Sequence, residues 1–457
     1  MKIIIIGDGK VGYSLAQHLS QENHDVTIID KNPEPLRKSS ELLDVMCIKG
    51  NGLSTKVMME AGVENADLLI AATSSDEMNM VCALTGKKLG AGHTVARIRD
   101  PEYADELSVL KRELGLDLVI NPEQSAAREI ARLLRFPSAT DVEPFAKGRI
   151  EFVEITATRD MPFIGVPLRN IPRRNIENIL IGVVKRGNQI IIPNGDYEIA
   201  PDDRLNVIGR PNDVFAFCKK IGIYTQKIKK VMVVGGGMIA HYMATNLKLN
   251  DIKIKIIEID RNRSIELAEM LPDTLVINGD GTDKDLLDSE NLGEMDAFIA
   301  LTGRDEENLI SAMLAKQSGV KKVIVKTTRI DNPVLFHDLG IDSIVNPKLI
   351  TANYILKYVR GLSNAVGNPA ETVYKIVDGQ AEVLEFVANK TTKFLDIQLK
   401  NLKLLKGVII GAIARRNEII IPHGDDVIKL GDTVIVISVD RLVLDFNEIV
   451  VSVGGQQ

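Results

Sequence analysis

Tryptophan is absent from this chain of 457 residues, aromatic residues make up only 4%, and cysteine occurs three times. Cys47, Cys82 and Cys218 stand far apart in apolar stretches. That arrangement fits neither a disulfide framework nor a metal cluster and points to the reducing cytoplasm. Long apolar runs are lacking too. Stretches such as Val434–Ile437 break well short of the roughly 18 residues a membrane helix needs, so the chain is expected not to span a membrane. Met1-Lys2 runs straight into a short apolar strand, which predicts no secretory leader. The net charge is −6 and the basic residues are dispersed, which argues against a nucleic-acid partner.

What the chain does contain, it contains twice. Ile3-Ile-Ile-Ile-Gly7-Asp8-Gly9-Lys10-Val11-Gly12 returns as Val231-Met-Val-Val-Gly235-Gly236-Gly237-Met238-Ile239-Ala240. Ala66 to Asn79 is answered by Met295 to Asn308, Asn121-Pro122 by Asn346-Pro347, and Ile181 to Asp196 by Ile410 to Asp425. A period this long is a duplicated pair of domains, since solenoid repeats run about 20 to 50 residues. Any residue needed for a shared task should therefore appear in both halves.

Within each half the periodicity changes once. Short β-branched runs (Ile3–Ile6, Val26–Ile29, Val45–Ile48, Leu68–Ala72, Thr94–Ile98, Leu118–Ile120) alternate with helical patterns such as Glu102–Leu114 and Gln124–Leu134. Apolar strands alternating with helices predict a doubly wound, Rossmann-like parallel sheet covered on both faces. Beyond Phe136-Pro137 the texture turns to strands and turn clusters with a short helix near Asn212–Lys219, a small α+β unit. The expected α/β architecture is thus Rossmann-like domains at 1–136 and 228–361, each followed by a small α+β domain, at 142–222 and 370–455.

The glycine loop carries the chemistry. A strand feeding Gly-x-Gly-x-x-Gly and then a helix brings backbone N–H groups and the positive end of the helix dipole onto one spot, which suits a pyrophosphate. Gly7 permits the turn, Gly9 lets the backbone approach the phosphates, and Gly12 lets helix and strand pack closely. Asp30, ending the next strand, is placed to bind ribose hydroxyls, and Glu258 is its counterpart. A carboxylate there favours NAD over NADP, unless Lys31 compensates a 2′-phosphate. Asn51-Gly52 (Asp280-Gly281), Thr73 (Thr302) and Arg97 (Lys326) lie at C-terminal strand ends, where an open α/β sheet binds its ligand. Asp76-Glu77 fits either the site or a helix N-terminus that needs acids.

With these residues in place, the whole chain resembles the TrkA family, the peripheral cytoplasmic regulators of bacterial Trk potassium uptake built from two tandem RCK units. The likeness rests on Gly7-Asp-Gly-Lys-Val-Gly12, Asp30, Gly50-Asn51-Gly52, Ala72-Thr73-Ser-Ser-Asp76-Glu77 and Ala96-Arg97-Ile-Arg99. It extends to Ile-Gly…Ile-Ile-Pro…Gly-Asp in each small domain, followed by Pro201-Asp-Asp203 or Leu430-Gly-Asp432. The resemblance implies NAD or NADH, and also ATP or ADP, as ligands. It further implies a homo-oligomeric ring, a TrkH-like membrane potassium channel subunit as partner, and a place on the inner face of the cell membrane. The candidate cofactor-binding residues are Gly7, Asp8, Gly9, Lys10, Val11, Gly12, Asp30, Asn51, Gly52, Thr73, Ser74 and Arg97. Their counterparts in the second half are Gly235, Gly236, Gly237, Met238, Ile239, Glu258, Asp280, Thr302 and Lys326.

A dehydrogenase needs a positioned general acid or base, most often histidine. None of the six histidines recurs across the repeat: His18 faces Asn246, His241 faces Tyr13, and His423 faces Asn194. No catalytic or metal-ligating residue is expected, and the alternative is an NAD-dependent oxidoreductase with one degenerate half. Arg97 against Lys326, and Gly12 against Ala240, predict two pockets of unequal strength, the first being the tighter.

Overall fold

The computed structural model describes all residues except 101–102, 104–114, 136–138, 173–177, 223–227, 249–251, 329–335, 337–338, 364–367, 369, 371, 378–379, 440–442, 444 and 454–457. The helix expected over Glu102–Leu114 falls almost wholly outside the described residues. Ile3, Ile4, Ile5 and Ile6 are all buried, because their strand lies at the centre of a sheet with helices on both faces. That sheet is parallel and runs in the order Met46–Lys49, Asp25–Asp30, Lys2–Ile6, Leu68–Ala71, His93–Arg97, Leu118–Ile120. The second half repeats it with Leu275–Asn278, Lys253–Glu258, Lys230–Val234, Ala297–Ala300, Lys322–Lys326 and Ser343–Val345. In both, strand order reverses beside the central strand, which opens a crevice at the C-terminal strand ends.

The duplicated Asn-Pro opens the helix that closes each Rossmann unit. Asn121 Oδ1 accepts the Gln124 N–H at 2.8 Å, and Asn346 Oδ1 accepts that of Lys348 at 3.1 Å. Proline follows at the first helical position, where its missing N–H costs nothing. These helices join the two halves. Helix Pro122–Arg135 packs Ala126, Ala127, Ile130 and Leu134 into one core with Ile239, Ala240 and Met243 of helix Met238–Lys248. Helix Pro347–Ser363 sends Ala352, Ile355, Leu356 and Val359 back against Leu15, Ala16 and Leu19 of helix Lys10–Gln21. Each large aliphatic side chain so buried is worth roughly 1.5–3 kcal/mol, so the seam is a core in its own right.

The small domains are five-stranded antiparallel sheets, Gln189–Ile191, Ile179–Arg186, Arg204–Gly209, Ile150–Thr156, Ala139–Phe145 and, in the second half, Thr372–Ile376, Ala381–Val387, Thr433–Val439, Val408–Arg415, Glu418–Ile420. Ala139–Phe145 reads poorly as a strand because of Pro144; it survives as one at the sheet edge, where a missing N–H is tolerated. The domains pack on each other reciprocally. A Cβ on Gly182 would lie 2.3 Å from Ile437 Cδ1, and one on Gly411 3.1 Å from Ile208 Cδ1. The duplicated aspartates before the last main strand brace these sheets: Asp203 takes both Nε and Nη2 of Arg186 at 2.7 Å, and Asp432 holds Arg415 in the same way. Among the described residues no helix is long and apolar enough to cross a membrane.

Candidate functional site

Three glycines of the first loop do three different things. Gly7 adopts φ +102°, and a Cβ there would lie 3.0 Å from the Ala72 carbonyl. Gly12 does not line the cleft; a Cβ on it would sit 1.8 Å from the Gly7 carbonyl oxygen, so it sets the approach of helix to strand. Gly9 meets nothing within 4 Å and faces open space. It caps helix Lys10–Gln21 with no side-chain hydrogen bond, leaving first-turn N–H groups turned to the cleft.

That cleft encloses about 670 Å³. Gly7 to Val11, Asp30, Asn51, Gly52, Thr73, Ser74 and Arg97 line it, as the sequence predicts for a first pocket. Its far wall belongs to the second half: Gly237, Met238, Ile239, Leu301, Lys326, Thr328, Pro347 and Lys348. The sequence assigns Lys326 to a second pocket; the structure places it in the cleft of the first loop, because the helices of the seam pack the second half against that cleft. Gly235, Gly236, Glu258, Asp280 and Thr302 do not line this cleft.

The polar groups are held by the strand ends. Asp30 Oδ2 accepts the Asp8 N–H at 2.6 Å and its Oδ1 that of Asn32 at 2.8 Å, which fixes the carboxylate at the rim. Asp8 is buried and accepts the Ser39 hydroxyl at 2.7 Å; burial raises its pKa above the usual carboxylate value, Ser39 opposes that, and Asp30 adds to it. Arg97 Nη2 pairs with Glu123 at 3.2 Å. Burial lowers the pKa of Arg97 and, on the facing wall, of Lys326; Glu123 counters both. Lys326 Nζ donates to the Leu301 carbonyl at 2.9 Å, and Lys348 Nζ donates to the Thr328 carbonyl. Asn51 forms a turn through the Leu53 N–H, as Asp280 does through Thr282. Gly52 has no room for a Cβ, which would fall 2.2 Å from Ile6 Cγ2.

Sequence reasoning missed the duplicated asparagine behind these groups. Asn79 Oδ1 accepts the N–H and hydroxyl of Thr73 at 2.8 and 2.7 Å, while its Nδ2 donates to the Arg97 carbonyl at 2.8 Å. Asn308 ties the Thr302 N–H to the Lys326 carbonyl in the same way. Its recurrence was the available signal. Asp76 proves to be a backbone clamp, accepting the N–H groups of Arg99 and Asp100 at 2.7 and 2.9 Å, with Asp305 doing the same for Thr328. Glu123 and Lys348 carried no signal, since their role depends on how the halves meet.

Strand order, glycine loop and rim carboxylate define a Rossmann-type nucleotide-binding module, present twice and followed each time by a small α+β domain. The family models for the TrkA-N domain match residues 3–122 and 231–347, and those for the TrkA-C domain match 152–222 and 383–449. A Trk system potassium uptake protein TrkA homolog of Methanosarcina mazei is 36% identical over 96% of this chain and 97% of its own length. The Trk system potassium uptake protein TrkA of Haemophilus influenzae is 34% identical over 96% of each. Among solved structures, the GsuK RCK domain has the same fold, with a TM-score of 0.63 and 18% identity over 96% of this chain and 92% of that one. The GsuK channel bound to NAD superposes with a TM-score of 0.62 at 18% identity, over 96% of this chain and 77% of that one. The chain belongs to the TrkA family.

Proposed function

We infer that the chain is a regulatory, nucleotide-binding subunit of a potassium-uptake system, and that its ligand is an adenine dinucleotide, NAD or NADH, with ATP or ADP as further ligands of the same cleft. In this reading Gly9, Lys10 and Val11 meet the pyrophosphate, Asp30 the ribose hydroxyls, and Thr73, Ser74 and Arg97 border the remainder. The domain division is the one proposed from the sequence, at 1–136, 142–222, 228–361 and 370–455.

One observation carries the reading: the cleft of the first loop is walled by the second half, through Gly237, Met238, Lys326 and Lys348. A bound anion therefore touches both halves, and its binding free energy depends on how they sit. A ligand shifts such an equilibrium only by its differential affinity for the two arrangements. That is what a gate needs and what a catalyst of hydride transfer does not. The relatives' assignment to Trk potassium uptake supports a membrane channel subunit as partner. A cytoplasmic ring of chains beneath it, docked on the inner membrane face, completes the proposal.

Calorimetry with NAD and NADH on the purified chain tests the ligand, and Arg97→Ala and Lys326→Ala should weaken the same binding event. Steady reduction of NAD with a common hydroxy acid would favour the oxidoreductase instead. Fractionation of cells carrying the intact uptake system tests the partner: the chain should sediment with membranes at low salt, and its complete absence there would remove that assignment.

A further inference from the structure

The second glycine loop differs from the first in what lies across it. Helix Arg261–Met270 begins at Asp260, whose side chain accepts the Arg263 N–H at 2.9 Å. From there the Arg263 side chain turns back over the loop. Its Nε donates to the Gly236 carbonyl at 2.9 Å, its Nη2 lies 3.9 Å from Met238 Sδ, and Glu266 pairs with its Nη1 at 2.8 Å. Beside it, Glu258 accepts the Gly236 N–H at 2.5 Å and the Asp260 N–H at 2.8 Å, as Asp30 accepts those of Asp8 and Asn32 in the first half, so the difference between the loops lies in Arg263 and not in the carboxylate. The Leu267 side chain fills the space above Gly236, where an added Cβ would lie 2.3 Å from Cδ1. The guanidinium thus lies across the glycine loop, against the Gly236 carbonyl and Met238, on a loop whose strand-end carboxylate is where a dinucleotide's adenosine ribose belongs. In the first half the equivalent helix position is Pro35, which has no such reach and borders the open cleft.

We propose that Arg263 closes the second glycine loop, so that each chain takes one dinucleotide, on the first loop, while the second loop serves that ligand only as the cleft's far wall. This rests on the dinucleotide reading of the first cleft. Removing Arg263 breaks the contacts to Gly236, Met238 and Glu266 together and leaves Glu258 beside an uncovered loop, in the arrangement Asp30 has in the first half.

The test is isothermal calorimetry of the full chain with NADH. Wild type should bind one equivalent per chain, and Arg263→Ala or Arg263→Pro, the latter restoring the residue of the first half, should bind two. Gly9→Val, which fills the space over the first loop, should abolish wild-type binding yet leave one equivalent on the Arg263→Ala background. Two equivalents in wild type overturn the proposal. So does a folded Arg263→Ala or Arg263→Pro chain that stays at one, or an Arg263→Ala chain whose single site weakens, which would make Arg263 a ligand contact. Binding by neither wild type nor variants would overturn the dinucleotide reading itself.

Discussion

The Tyr242 hydroxyl, in the second half, donates to the Arg99 carbonyl of the first half at 2.6 Å and accepts from Asn121 Nδ2 at 2.8 Å. Burial pushes its pKa up to about 12, so it remains a donor throughout the physiological range. The bond pins the second loop's helix to the segment that leaves the strand just after Arg97, so it ties the two walls of the cleft. Tyr242→Phe should cost about 1 kcal/mol, the worth of one buried hydrogen bond, read as a lower midpoint in urea. An unchanged midpoint would mean that the apolar seam alone sets the register of the halves.

The glycines separate binding from folding. Gly9→Val has room and a negative φ of −77°, so it should fold with wild-type stability and lose NAD binding. Gly12→Val would force its Cβ onto the Gly7 carbonyl and should lower stability by more than the roughly 1–3 kcal/mol typical of overpacking. Thermal unfolding and calorimetry on the two variants check this. Equal loss of stability in both would contradict the assignment of separate roles.

Much of this was legible because the repeat displays shared tasks twice. The six strands of the first sheet fall within about one residue of the β-branched runs, and helix Pro122–Arg135 starts two residues ahead of the pattern at Gln124–Leu134. Asn79 was in view through Asn308, but spacing alone could not reveal a side chain that bonds backbone on two strands. What stayed hidden is where the halves differ. Tyr242 stands opposite Ser14, Arg263 opposite Pro35, and Lys348 opposite Glu123. These residues act across the seam or over a loop, and comparing one half with the other discards such differences as drift. The shared cleft was invisible for the same reason, since it arises from helix packing between halves and not from a pattern within either.

Asp30 should make the cleft prefer NAD. Its carboxylate is fixed at the rim by the Asp8 and Asn32 N–H groups and forms no ion pair among the described residues, although Lys31 also lines the cleft. A 2′-phosphate about 4 Å away would meet repulsion on the order of 4 kcal/mol at low salt and an effective dielectric near 20. NADP should therefore bind at least about tenfold more weakly than NAD, and Asp30→Asn should narrow the gap. If NADP binds wild type as well as NAD does, Lys31 has neutralised the carboxylate.

Asp8 should make stability depend on pH in a direction opposite to that of a paired carboxylate. It is buried, close to the Asp30 charge, and its pKa is raised above the ordinary 3.8, chiefly by burial and against the Ser39 hydrogen bond. The folded chain therefore holds the Asp8 proton more tightly than the unfolded chain does. The resulting stabilisation is fully present below about pH 3.8, the unfolded value, and is lost as pH rises through the higher folded value. At neutral pH the buried charge is a cost, and Asp8→Asn removes it while keeping an oxygen to accept from Ser39. The second half has already dispensed with the charge, setting Gly236 and Leu267 where the first has Asp8 and Ser39. Asp8→Asn should thus unfold at a higher temperature than wild type at pH 7, with the difference shrinking as pH falls toward 4. Scans across that range are the check; a difference that is constant with pH, or that grows on acidification, would show that the Asp8 carboxylate is stabilised in place and not strained by its burial.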